Sequence, residues 1–162
     1  MTTLSTDDSR LWTIRYDDVN TVHHVARATG STSTSVAPYR VELHCGHHNL
    51  VGDEPPSEGG GDLGPSPFGL LLCGLAACTA TTLRMYAAHK GWDDVATITV
   101  DVRYDVDDEK HESIVRTITV PAEVSEEQRE RLADIASRTP VTLAIATPIT
   151  TTIVTADTPR LP

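Results

Sequence analysis

"SPFGLLLCGLAACTATTLRMYAAHKGW", residues Ser66 to Trp92, is the stretch on which the fold turns. Ser66 is a good helix N-cap and Pro67 a good first helical residue, because the amide that proline lacks would have no intrahelical partner there. The sequence then predicts a helix from Pro67 to about Lys90, where Gly91 supplies the usual left-handed stop. Between Leu70 and Leu83 apolar residues cover most of the circumference, as in a helix buried on nearly all sides. One chain of 162 residues has difficulty covering such a helix. A second copy is therefore expected to help bury it, and the chain is predicted to be a dimer.

Working outward, "GDEPPSEGGGDLGPSP" (Gly52 to Pro67) precedes the helix and holds five of the ten glycines and four of the ten prolines. A loop of that length in a compact domain is often functional. Further upstream, "LWTIRY", "TVHHVARA" and "VAPYRVELHC" are short strand-like runs, with "GSTSTS" (Gly30 to Ser35) between the last two as a flexible loop. Downstream, "TITVDVRYDVD" alternates, with Ile98, Val100, Val102, Tyr104 and Val106 on one face and Thr97, Thr99, Asp101, Arg103 and Asp105 on the other. The acidic run after it reads as a solvated hairpin turn leading into "SIVRTITV" (Ser113 to Val120). A second helix starts at Ser125, with capping-box spacing to Gln128 and an inner face of Leu132, Ile135 and Ala136, and stops near Arg138. "PITTTIVTAD" reads as a last strand. No repeat is present, and the order points to an α+β fold with antiparallel sheet and one domain over residues 1–162.

A formal charge of -10, with two lysines against eleven arginines, offers no basic stripe for a phosphate backbone, which argues against nucleic acid. The longest apolar run, Leu70 to Ala80, falls short of the roughly 18 residues of a membrane span. "MTTLSTDDSR" lacks the character of a secretory signal, so a cytoplasmic location is expected. In that compartment three cysteines without CxxC spacing do not form a disulfide framework.

Cys73 and Cys78 are separated on the helix by about 7.5 Å along the axis and about 140° around it, too far to pair without melting a turn. Cys78 lies on the stripe Leu71, Leu75, Cys78, Thr82, Met85, Tyr86 and His89, which becomes more polar as it runs and so can leave the core for a cleft. Cys73 sits deeper among leucines and reads as a packing residue, and Cys45, beside Val41 and Leu43 on a strand, as structural. Neither helical cysteine is in the first turn, so a reactive Cys78 would need an arginine or histidine brought in by the fold. "HCGHH" contains zinc- and copper-binding residue types in His44, Cys45, His47 and His48, but neighbours on a strand point to opposite faces and no second cluster completes a site. No metal and no cofactor are predicted.

Taken together, "GHHNLVGDEPPSEGGGDLGPSPFGLLLCGLAACTATTLRMYAAHKGW" and "SEEQRERLADIASRTPV" resemble the OsmC/Ohr family of osmotically inducible and organic hydroperoxide resistance proteins, over roughly residues 40–155. The resemblance implies an OsmC-like fold: an intertwined α+β homodimer with the central helices buried between subunits. It also implies thiol-dependent reduction of organic hydroperoxides, with Cys78 in "AACTA" as the peroxidatic cysteine. The thiolate would take the distal peroxide oxygen and become a sulfenic acid, which a second cysteine in a Cys-Pro-Val element would capture as a disulfide.

The chain departs from that pattern in two places. "RTPV" puts Thr139 where the second cysteine belongs; it can cap the following turn but cannot resolve a sulfenic acid. Phe68 and Gly69 stand where the family usually carries the glutamate that orients the activating arginine. For that arginine, the best match is Arg27 in "VARATG", with Arg40 behind it. The expected function is thus a one-cysteine hydroperoxide reductase that relies on an external thiol. The alternative is a non-catalytic binder of a small apolar ligand, or a redox sensor. An arginine beside an accessible Cys78 would favour the enzyme, and a sealed apolar sulfur the binder.

Overall fold

The computed structural model describes residues 27–32, 37–149, 151 and 153. Five strands, three α-helices and a single 3-10 turn at Pro56–Glu58 are found there: β1 (Ala28–Thr32), β2 (Val41–Cys45), β3 (His48–Gly52), α1 (Pro67–Lys90), β4 (Thr99–Val106), β5 (Glu112–Thr119), α2 (Glu126–Ala136) and α3 (Pro140–Ala144). The first three strands form one antiparallel sheet in chain order, and β4 and β5 form a second antiparallel pair. The predicted strands "LWTIRY" and most of "TVHHVARA" lie outside the described residues, as does most of "PITTTIVTAD".

The central helix has the predicted bounds. The Ser66 hydroxyl accepts from the Gly69 amide at 3.1 Å, and Gly91 closes the helix at φ 68°. The caps of α2 are also as read: Ser125 accepts from the Gln128 amide at 3.2 Å while Gln128 Oε1 accepts from the Ser125 amide at 2.8 Å. Leu132, Ile135 and Ala136 of α2 join Leu83, Tyr86 and Ala87 of α1, with Val95 and Val124, in one buried cluster. Trp92 closes its end, edge-on to Tyr86 with ring centroids 5.6 Å apart. On β4 the alternation holds through Tyr104; Val106, beside the turn of the hairpin, is exposed.

Several expectations are overturned. "GSTSTS" is not a loop throughout: Ala28–Thr32 forms β1, paired Thr29 to His44 and Thr32 to Val41, because small and β-branched residues fit a pleated edge. β2 is shorter than expected, since Pro38 and Tyr39 form a turn before Arg40. β3 was hidden inside "HCGHHNLVG", which is a hairpin rather than one strand. Gly46 and His47 are its two turn residues, and Gly46 has the positive φ of 60° that a primed turn demands of its first central residue. A short α3 follows Thr139, whose hydroxyl makes no cap bond.

Burial also differs from the prediction within one chain. On α1 only Leu75, Thr79, Thr82, Leu83, Tyr86 and Ala87 are buried, and Cys73, read as a packing residue, is exposed, as is Cys45. The reason is geometric: β4, α2 and α3 pack against one side of α1 and leave Phe68, Leu71, Cys73, Gly74, Ala77, Thr81 and Met85 open. The three-stranded sheet is likewise exposed or half-buried except at Gly52. Threonines and glycine extend the apolar run, so α1 is long and apolar enough to cross a membrane by length and composition alone, contrary to the shorter count; a share of 22% of that window is buried inside the chain.

Candidate active site

The loop before α1 is built around one carboxylate. Asp53 is buried and accepts from the amides of Glu54 at 2.9 Å, Gly61 at 3.0 Å and Leu63 at 3.2 Å. Gly60 passes so close to Glu54 that a Cβ there would lie 1.8 Å from its carbonyl oxygen. The glycine run is therefore an ordered support that delivers Ser66 to the helix start. Two residues on, Phe68 occupies the place expected of a carboxylate and stacks against Tyr104 of β4, centroids 4.6 Å apart.

Cys78 follows three turns later. It is half-buried, between the buried Leu75 and Thr82, with its Sγ 4.0 Å from Thr82 Oγ1. Thr79 beside it is fully buried and donates to the Leu75 carbonyl at 2.8 Å, which leaves its oxygen free to accept. The donor comes from β5. Arg116 Nη1 donates to Thr79 Oγ1 at 2.9 Å and to Thr142 Oγ1 at 3.0 Å, and Nη2 donates to the Ala136 carbonyl at 2.6 Å. Thr142 shares a 2.7 Å hydrogen bond with Thr139, which is fully buried. Burial pushes the Arg116 guanidinium below its ordinary value, and the Cys78 side chain acts on it in the opposite direction. One hydroxyl-lined wall thus joins α1, the end of α2, α3 and β5, with a thiol at its edge.

Arg27 stands exposed just before β1, and no hydrogen bond or ion pair links it to Cys78 among the described residues. Arg40 is paired with Glu42. The arginine that the chain ties to the residue beside Cys78 is Arg116, which sequence reasoning missed. A signal was present: Arg116 shares strand parity with Ile114, Ile118 and Val120, and a lone guanidinium on an apolar face calls for a reason. Behind it, Arg116, Ile118, Val120, Arg129, Leu132 and Ala133 line a cleft of about 270 Å³ between β5 and α2. The "HCGHH" residues lie at the far hairpin, where His44 Nδ1 is 2.7 Å from Asn49 Oδ1, and among the described residues no group of three or more His, Cys, Asp or Glu is placed to hold a metal.

The family model described as OsmC-like protein matches residues 59–154, more than half of the chain and the whole of this wall. The chain belongs to the OsmC-like protein family. No curated protein matches it. Among solved structures, this OsmC-like chain is similar to the OsmC like protein of Mycoplasma pneumoniae, with 16% identity, TM-score 0.61, and coverage of 76% of this chain and 89% of that one. It is also similar to the organic hydroperoxide resistance protein OsmC of Legionella pneumophila, described as a predicted redox protein, with 18% identity, TM-score 0.55, and coverage of 78% and 92%. A third is an organic hydroperoxide resistance protein from Elizabethkingia anophelis, with crystallant-derived thiocyanate bound: 17% identity, TM-score 0.56, and coverage of 77% and 90%. At these identities the likeness establishes the OsmC-like fold: antiparallel sheets beside a long helix.

Proposed function

We propose that this OsmC-like chain is an organic hydroperoxide reductase that works with one cysteine and an external thiol. The observation that supports it most is the half-buried Cys78 beside the Arg116 and threonine wall, with Thr139 at the matched position of the family's second cysteine. The Cys78 thiolate attacks the distal oxygen of ROOH; the O–O bond breaks, the alkoxide leaves and takes a proton as ROH, and the sulfur becomes a sulfenic acid. One external thiol then forms a mixed disulfide and releases water. A second regenerates the Cys78 thiol and leaves as the oxidised disulfide, so two thiols and ROOH give one disulfide, ROH and water.

The reading places the reaction in a cytoplasmic homodimer, one OsmC-like domain per chain, with the open side of α1 covered by the second copy. It needs neither metal nor cofactor. Within one chain Arg27 does not meet Cys78, so the reading has Arg27 reach the sulfur of the second copy, and Arg27→Ala is expected to slow turnover.

Consumption of cumene hydroperoxide by purified protein, with a monothiol or a dithiol, tests the proposal. Wild type turns over with either thiol and Cys78→Ser does not; turnover that survives the substitution removes Cys78 from the chemistry. The cleft between β5 and α2 supports a second reading, a non-catalytic binder of a small ligand or a redox sensor. Absence of turnover from wild type with both thiols favours that one.

A further inference from the structure

We infer that Arg116 is the positioning cation of the Cys78 site, a fixed positive charge that draws anionic reactants to this sulfur. The inference rests on Cys78 being the reactive thiol. It starts from a peculiarity of charge pairing. Arg40, Arg103, Arg129, Arg131 and Arg138 each face a carboxylate, namely Glu42, Asp105, Glu126 and, for the last two, Asp134. Arg84 and Arg27 are exposed, and water screens them. Among the described residues Arg116 is the half-buried arginine with no carboxylate partner: its acceptors are two threonine hydroxyls and one carbonyl, all neutral.

Half-burying a guanidinium without a counter-charge is costly, and an apolar residue at that strand position would pack against Ile118 and Val120 at no such cost. The three hydrogen bonds hold the group still without neutralising it; the Ala136 carbonyl, in the last turn of α2, adds only the fractional negative charge of a helix end. Cys78 is the group whose ionised form acts on Arg116 favourably, one residue from the hydroxyl to which Arg116 is tied. The wall is therefore a fixed charge waiting for an anion at the sulfur: the thiolate, the sulfenate it becomes, or the carboxylate of an approaching reductant.

Alkylation of Cys78 by iodoacetate and by iodoacetamide tests this without any peroxide. Both reagents need the same thiolate, so the ratio of their rates at one pH reports the local charge and cancels thiolate fraction and access. In a Cys45→Ser, Cys73→Ser background, Arg116→Met and Arg116→Gln are expected to lower the iodoacetate-to-iodoacetamide ratio by about three- to tenfold, the size of one nearby charge at intermediate dielectric. Arg116→Lys should keep most of it. A ratio unchanged in a folded neutral variant overturns the inference and leaves Arg116 a structural tie.

If neither neutral variant folds, the salt dependence of the background protein decides. With a net charge of -10, the protein as a whole repels iodoacetate, so salt alone would raise the ratio. A dominant local Arg116 makes it fall, and a rising or flat ratio overturns the inference. Peroxide turnover failing while the ratio behaves as expected would refute the enzymatic reading and not this one.

Discussion

Thr139 and Thr142 share a hydrogen bond, and Arg116 donates one to Thr142 and one to Thr79, so side chains far apart in sequence meet on the residue next to Cys78. That placement predicts the result of one exchange. Thr139→Cys puts a thiol at the matched second-cysteine position; one equivalent of hydroperoxide is then expected to remove two thiols and give a Cys78-to-139 disulfide by peptide mass spectrometry, where wild type loses one. Recovery of three free thiols and a sulfenic acid would mean that position 139 does not face the sulfur. Cys78 could be proposed from "AACTA" because a motif carries its own position. Arg116 could not, because its surroundings come from four elements converging, and a strand alternation shows only which face a residue takes. Thr139 was half-legible: its failure to be a cysteine could be read, but its hydroxyl faces Thr142 rather than capping α3.

At the scale of elements, the loop before α1 and the β4–β5 turn each rest on an aspartate. Asp53 holds the loop before α1 through three backbone amides, so Asp53→Ala is expected to cost about 1.5–3 kcal/mol, the range for hydrogen bonds to a charged group. Urea unfolding reads that loss, and hydrogen exchange should speed first at Gly61 and Leu63.

Asp107 caps the β4–β5 turn. The amide of His111 donates to it at 2.8 Å and holds its carboxyl below the usual range, with the His111 ring 3.0 Å away adding to the effect. A depressed carboxylate stabilises the fold above its unfolded value and loses that stabilisation as pH falls through the folded one. Protection of the His111 amide should therefore decline at acid pH, below the ordinary aspartate range. Asp107→Asn should be poorly protected throughout and lack that step. Helices α1 and α2 were legible because capping residues mark their ends. The hairpin of β2 and β3 was obscured by reading "HCGHH" as one strand, when Gly46 supplies a turn.

At the scale of the molecule, one chain leaves Leu71, Cys73, Gly74 and Ala77 of its most apolar helix uncovered, and its three-stranded sheet has no buried face. Contiguous apolar surface of this kind marks an interface. Light scattering after size exclusion is expected to give twice the chain mass, and Ala77→Glu, a charge on the open face, to shift the protein toward the monomer. A wild-type monomer would contradict the dimer. That α1 is too apolar for one chain to cover was legible from its circumference; which side stays open was not, because that depends on how β4, α2 and α3 take up the other.

The account turns on Cys78 acting alone. Its most direct measurement is intact and peptide mass spectrometry of wild type after one equivalent of cumene hydroperoxide, with a dimedone-type trap for sulfenic acid. The account predicts one adduct per chain, on Cys78, with Cys45 and Cys73 still free and no disulfide. An unlabelled Cys78 in protein that has consumed the peroxide, or a disulfide joining it to another cysteine of the chain, would contradict it.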